Sequence, residues 1–362
     1  MGGGGAKICS ELPEEIVLMI LAKLPCGSLP KMRGVCKAWK EVLCSRDALA
    51  KIYPDMEISS SPAFLLQFRG GLPNFILEGS SVDFRKLPSS DMGRVVEIAC
   101  KGIYCCSYGR RSGARFRLWV CNPGTKTYKR IPYPSIITRD WDFIGMSFNF
   151  STKKCDLVLG LNFHYGHKIL EMYNSKSNAW TSVSMTVEDG IHPIGVGVFS
   201  KGKYYWMQGR GPFSNGEIVQ LNVQQNCWIK IACPQYSWKT PVDAYLLRHQ
   251  TWALTGCEGR IILVNMENSS PCMWKLREGD EYYTWSPVHI KLPKPVFQVA
   301  VNFKGWVLAV GEQLLVYNAE GAIVRTAEWD ALHPNQMLSL NGNIKIVSAF
   351  AFECNNVCWP LF

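Results

Sequence analysis

The 362-residue chain is 47% hydrophobic and 19% charged, with a net charge of +10 and 15 cysteines. It is longer than one compact core of ordinary size, and it has no apolar run of about eighteen residues that would make a membrane-spanning helix. The basic excess points to acidic partners, and cysteines set inside apolar runs (Cys100, Cys121 and Cys233) read as buried free thiols in a reducing compartment, cytoplasm or nucleus.

Residues 1–11 read as a disordered, glycine-rich N-terminus. It turns acidic at Glu11, Glu14 and Glu15, the reverse of a secretory leader. Ala6 stands where a myristoylation motif requires Ser or Thr. Pro13 suits the first turn of a helix, and Glu14 and Glu15 suit its positive end. Ile16, Val17, Ile20, Leu21 and Leu24 follow at helical spacing until Pro25 and Gly27 end the run. Ser28 caps a second helical stretch with Pro30 in its first turn, and Leu29, Met32, Val35, Cys36, Trp39 and Leu43 extend an apolar stripe. About forty residues rarely bury enough surface to fold firmly alone. Periodicity leaves open whether the stripe covers the rest of this chain or a partner.

The run Leu12-Pro13-Glu14-Glu15-Ile16, then Ile20-Leu21, Leu24-Pro25, Ser28-Leu29 and Arg33-Gly34-Val35-Cys36-Lys37-Ala38-Trp39, resembles the F-box in order and spacing, in its plant-type form. Met32 stands where Phe is more usual. The resemblance implies a Skp-family adaptor as partner and, through it, cullin and RING subunits. By position, Leu12, Pro13, Ile16, Ile20, Leu24, Pro25, Leu29, Val35, Cys36 and Trp39 form or support that contact. Between Lys23 and Arg46, six basic residues face one acidic residue, Glu41, a balance that suits an acidic adaptor or a solvated basic face.

Residues 12–45 are thus read as the F-box, 46–61 as a linker and 62–362 as a β-propeller with kelch-like repeats. Beyond residue 62, short β-rich runs alternate with Gly, Asn, Pro and Ser turns. One unit recurs: an apolar strand ending in Asn, a polar turn, then an aromatic strand. It runs Leu118–Asn122 to Tyr128–Ile131, Glu171–Asn174 to Trp180–Val183, and Val219–Asn222 to Trp228–Ile231, with weaker copies near Asn265 and Asn318. A period of about 40 to 50 residues with four strands per unit indicates propeller blades. Strands are expected at Val95–Ala99, Gly102–Tyr108, Phe116–Asn122 and Tyr128–Ile131 in the second blade. The sixth is expected at Phe297–Phe303, Trp306–Val310, Gln313–Asn318 and Ala322–Glu328. The first blade has only three (Ala63–Phe68, Asn74–Glu78, Val82–Leu87), so Ile344–Phe352 is expected to close a six-bladed ring as its fourth strand. The stretch Cys121-Asn122-Pro123-Gly124-Thr125 through Tyr128 to Ile131-Pro132 also resembles plant F-box proteins with kelch-like or F-box-associated β domains.

Three apparent chemical motifs carry less weight. Gly197 through Lys203 matches a phosphate-binding loop up to Tyr204, where Ser or Thr is required. Tyr204-Tyr205-Trp206 reads as a strand, which makes Ser200–Lys203 a hairpin turn. His164 and His167 lack further ligands at zinc spacing, and so do Cys354 and Cys358. No cofactor, metal or catalytic residue is expected.

The resemblance implies a substrate-recognition subunit of an SCF-type ubiquitin ligase. A non-degradative scaffold and a propeller enzyme are the alternatives. The target site is expected on the face formed by the b–c and d–a connections, with Arg110, Arg111, Arg115, Arg139, Trp141, His164, Tyr165, His167, Arg210, Phe213 and Trp238. His192 and Tyr236 fall on the same face. Arginines and exposed aromatics there would grip an acidic or phosphorylated protein segment. Neither a membrane nor a nucleic acid is expected as partner.

Overall fold

The computed structural model describes residues 12–23, 32, 34–44, 61–68, 75–78, 85–86, 95–100, 102–108, 117–122, 127–135, 141–149, 152, 154–162, 167–186, 191–208, 217–234, 252–257, 259–265, 272–279, 282–292, 298–301, 307–310, 314–318, 320–327 and 346–354. Among the described residues, the elements are two short helices followed by a mostly β, propeller-like body.

Helix α1 spans Glu14–Lys23 and α2 spans Lys37–Cys44. The Pro13 carbonyl accepts from the N–H groups of Ile16 and Val17, so the proline starts α1 without losing a needed donor. At the start of α2 the Cys36 sulfur accepts from the Trp39 N–H at 3.5 Å, the position a capping oxygen would take. The two helices touch, and Val17, Leu18, Leu21 and Trp39 are their buried residues.

The first sheet holds β1 (Ser61–Phe68), β2 (Phe75–Glu78) and β3 (Arg85–Lys86). The second runs β4 (Val95–Cys100), β5 (Ile103–Tyr108), β6 (Arg117–Asn122) and β7 (Thr127–Arg130). A third set follows as β8 (Phe143–Asn149), β9 (Lys154–Asn162), β10 (His167–Asn174) and β11 (Ala179–Thr186). The fourth is β12 (Pro193–Ser200), β13 (Lys203–Gln208), β14 (Glu217–Asn222) and β15 (Cys227–Ala232). The fifth is β16 (Trp252–Cys257), β17 (Arg260–Asn265), β18 (Cys272–Glu278) and β19 (Tyr283–Val288). Then come β20 (Gln298–Val301), β21 (Val307–Val310), β22 (Leu314–Tyr317) and β23 (Ile323–Ala327), and finally β24 (Ile346–Cys354).

Each set of four is an antiparallel meander in sequence order, and β24 joins the first sheet beside β1. Their pairing runs from Ser61 opposite Cys354 to Phe68 opposite Ile346. The third and fourth sets merge into one eight-stranded sheet through a short parallel bridge, with Gly195 opposite Phe143 and Val196 opposite Ile144. The leading strand of each set lies against the leading strand of the next, from β4 through β8, β12 and β16 to β20. β24 lies against both β20 and β4.

The recurring Asn has a local cause. Asn174 Oδ1 accepts from the Lys176 N–H at 2.9 Å, Asn222 Oδ1 from Gln224 and Gln225, and Asn318 Oδ1 from Ala322. A short amide side chain thus holds the turn after the third strand of the third, fourth and sixth sets, whereas Asn265, expected to end a like unit, closes the second strand of the fifth set, β17. Four residues on, Asn178 and Asn226 close two of these turns with φ of 52° each, a conformation Asn tolerates. Between β12 and β13, Lys201 (φ 48°) and Gly202 (φ 80°) form a two-residue hairpin turn. The phosphate-loop-like run is therefore strand, turn and strand.

Between the third and fourth sets, aromatic rings pack over glycines. Trp206 is buried, donates Nε1 to the Ile144 carbonyl at 2.9 Å, and lies 5.1 Å from the Phe143 ring. A Cβ at Gly160 would meet the Phe143 ring, and one at Gly145 or Gly197 would meet Trp206.

Candidate functional site

The helical module exposes an apolar face. Along α1, Ile16, Met19 and Ile20 point outward while Val17, Leu18 and Leu21 are buried. Helical geometry sets these two groups on opposite sides, so α1 is apolar on both. Met19 is 58% exposed, and Val35, just before α2, adds a further exposed apolar side chain. Leu12 is half-buried and Pro13 exposed at the start of the same helix.

The residues expected to touch an adaptor thus divide. Ile16, Ile20, Val35 and Pro13 lie outward, and Leu12 and Cys36 are intermediate. Trp39, at 8% exposure, faces inward and supports the helix pair rather than presenting its ring. Its indole N–H is buried and has no hydrogen-bond partner among the described residues. Leu24, Pro25 and Leu29 lie outside the described residues. Met19 was not singled out from the sequence. Its place three residues after Ile16 and one before Ile20 is the signal that could have found it.

On the propeller-like body, Arg110, Arg111, Arg115, Arg139, His164, Tyr165, Arg210, Phe213, Tyr236 and Trp238 lie outside the described residues. His167 pairs through its backbone with Thr186 at the end of β10, and His192 is half-buried. The structure corrects the expectation for Trp141. It is 7% exposed and packs with Ile131, Ile144, Met146 and Leu118 in the core between the second and third sets. The Asp142 N–H bonds to the Gly160 carbonyl, which ties this stretch to β9 and turns the indole into the apolar layer instead of the loop face.

Charged groups at the seam of the fourth and fifth sets are paired. Lys203 donates to Glu278, and the Tyr283 hydroxyl donates to Gln220 Oε1 at 2.5 Å. Lys201 Nζ lies 3.6 Å from Glu278 Oε2. The hydrogen bond from Lys203 holds the Glu278 carboxyl below its ordinary range, and the same bond raises the Lys203 ammonium. Glu171, fully buried on β10, accepts from the Ser135 N–H at 2.8 Å and from the Ser135 hydroxyl at 2.5 Å, which ties the tail of the second set to the third. Burial pushes the Cys105 and Cys155 thiols well above ordinary values, which keeps both protonated. Among the described residues, no three His, Cys, Asp or Glu side chains gather as a metal site, and no helix is long and apolar enough to cross a membrane. The exposed apolar residues of the helical module are Ile16, Met19, Ile20 and Val35.

Comparison with known proteins agrees with this division. Residues 9–50 match the family profile described as the F-box domain, and residues 64–233 match the F-box associated beta propeller domain. An F-box protein of Arabidopsis thaliana is 26% identical, across 94% of this chain and 96% of its own length. An F-box/LRR-repeat/kelch-repeat protein of the same plant is 27% identical across 54% of each chain. Among solved structures, the β-propeller domain of the trilobed protease from Pyrococcus furiosus aligns with 73% of this chain and 83% of its own at 11% identity. Its TM-score of 0.37 carries no weight for the fold.

Proposed function

We propose that this chain, which belongs to the F-box proteins that carry an F-box associated β-propeller domain, is the substrate-recognition subunit of an SCF-type ubiquitin ligase. The observation that carries this reading is the double apolar character of α1. One side is spent on α2 through Val17, Leu18 and Leu21, while Ile16, Met19 and Ile20 remain on the surface. An apolar helix face of this kind suits a Skp-family adaptor, which would link the chain to cullin and RING subunits.

On this reading residues 12–45 dock the adaptor, 46–61 link, and 62–362 hold a target protein. Leu24, Pro25 and Leu29 extend the adaptor contact, and Trp39 keeps the helices in place. The chain contributes proximity rather than a catalytic group, since it brings target lysines to the ubiquitin carrier held elsewhere in the complex. The body closes as a six-bladed ring. Support comes from the pairing of β24 with β1 and from its lateral neighbours, β20 on one side and β4 on the other. Nine cysteines of the described elements, Cys105, Cys121 and Cys155 among them, are free thiols, which supports the reading of a reducing cytoplasm or nucleus.

The test is co-purification of a Skp-type adaptor with the full chain carrying Ile16→Asp and Met19→Asp. Both positions are surface sites, so the melting curve should stay as in the parent while the adaptor is lost. A folded double variant that retains the adaptor overturns the reading.

A further inference from the structure

β3, β7, β11, β15, β19 and β23 are the outer strands of their sets, and among the described residues no strand pairs with their outer edges. Such an edge offers main-chain N–H and C=O groups to any extended chain. Proteins blunt it by keeping the strand short or by placing charged residues or proline on it. All but one of these strands are blunted. β3 is only Arg85-Lys86, β7 carries Lys129 and Arg130, β15 carries Lys230, β19 carries Pro287, and β23 carries Arg325. β11 departs on every count. At 8 residues it is the longest of them, and Ala179-Trp180-Thr181-Ser182-Val183-Ser184-Met185-Thr186 holds neither a charge nor a proline.

The strand is firmly held on its inner side. Every residue from Ala179 to Thr186 pairs with β10. Trp180 is fastened to the Pro132 carbonyl, and the Ser182 hydroxyl donates to Glu171 Oε1 at 3.4 Å. Thr, Val and Trp also favour the extended backbone. Ala179, Thr181 and Ser182 are exposed, so this stretch is open to solvent. The charges lie at its two ends. Lys176 is exposed in the turn before β11, and Glu188 and Asp189 follow β11 in the sequence. An antiparallel second copy of the strand therefore sets basic against acidic at both ends, whereas a parallel one sets like against like.

We propose that β11 pairs antiparallel with β11 of a second copy of this chain, across a two-fold axis, so that the protein forms a homodimer through its sheet edges. A two-fold contact uses the same patch on both copies, and this is the commonest symmetry among soluble oligomers. Main-chain hydrogen bonds along the uncharged edge supply the affinity, as in other cases of strand addition. The opposite charges at the two ends of the strand select the antiparallel arrangement and the second copy as occupant. The pairing does not depend on what else the chain binds. On the substrate-receptor reading above, it joins two helical modules and two target faces in one assembly, which raises the effective concentration of each for a partner with two matching segments.

The test is sedimentation equilibrium of the full chain over a concentration series, with hydrogen exchange at residues 179–186 read at low and high concentration. The parent should show a concentration-dependent dimer, and amides of β11 should exchange more slowly in it. Ala179→Lys combined with Thr181→Lys gives β11 the guard that other outer strands have. It should raise the dimer dissociation constant about tenfold or more, while Thr181→Val, which leaves the edge uncharged, retains the dimer. Both positions are exposed, and circular dichroism of each variant checks the fold. The proposal is overturned if the parent stays monomeric up to about 0.1 mM, if the lysine variant dimerises within about twofold of the parent, or if the slowed exchange falls elsewhere than β11. Slowed exchange at β11 that appears only when another protein is added also overturns it, because it assigns the edge to a target strand. If the lysine variant misfolds, exchange in the parent decides.

Discussion

Trp180 donates its indole N–H to the carbonyl oxygen of Pro132 at 2.8 Å, which fastens the outer strand of the third set to the tail of the second. Trp285 makes the same bond to Ala232 at 2.7 Å, from the fifth set to the end of the fourth. Tyr317 reaches the Lys291 carbonyl at 2.9 Å from the sixth set to the tail of the fifth. In each case a large ring packs between neighbouring sheets while its polar tip donates to a main-chain carbonyl at or just beyond the end of the outer strand of the set before it.

Replacing Trp180 by Phe keeps a ring at the seam and removes the donor. The expected loss is about 1 kcal/mol, the net worth of one hydrogen bond. Trp180→Ala also removes packing and should cost more, about 2 to 4 kcal/mol. Denaturant unfolding of the two variants separates the terms. Equal stability of Trp180→Phe and the parent would show that the bond contributes nothing.

Gly160 sits directly opposite Phe143, and the Phe143 ring occupies the space a Cβ would need. Gly160→Ala should destabilise by about 1 to 3 kcal/mol through forced repacking. Adding Phe143→Leu should recover part of that loss, because the ring is the obstacle. A double variant no more stable than the sum of the two single changes predicts would mean the two residues are not coupled.

The Lys203–Glu278 pair predicts a pH dependence. Glu278 has its folded-state pKa depressed, so its contribution is present above the ordinary carboxylate range and disappears as pH falls through the folded value. Lys203 has its value raised, so its contribution is present below the ordinary lysine range and is lost as pH rises through the folded value. Glu278→Gln should therefore be less stable than the parent at neutral pH, and the two should converge in acid. The pair is partly exposed, so the difference should stay near or below about 1 kcal/mol and shrink with salt. A deficit that persists unchanged down to pH 2 would assign it to something other than charge.

Removal of residues 344–362 takes away β24, which pairs with the whole of β1 and lies between β20 and β4. The truncated chain should aggregate or melt well below the parent, because an open sheet edge and two lateral faces become exposed. If the truncated chain melts like the full one, ring closure through β24 is wrong.

Much of this was legible in the residues. The four strands expected from Val95 to Ile131 and from Phe297 to Glu328 are found within a residue or two, because apolar runs and Asn-bounded turns are local signals. The start of α1 at Pro13 is equally local. Side-chain direction was not legible in this way. Periodicity marked Ile16, Ile20 and Trp39 alike as one stripe, yet packing turned Trp39 inward and left Ile16, Met19 and Ile20 outside. Trp141 read as a loop anchor until the core between two sheets took its ring. The sequence by itself determined the repeat, its turns and the helical module, since those depend on neighbours along the chain. Only the tertiary structure decided which aromatics are covered, whereas the pairing of β24 with β1 was expected from the strand missing from the first set. Burial depends on surfaces far apart in sequence, and no local pattern encodes which of two apolar faces will meet one.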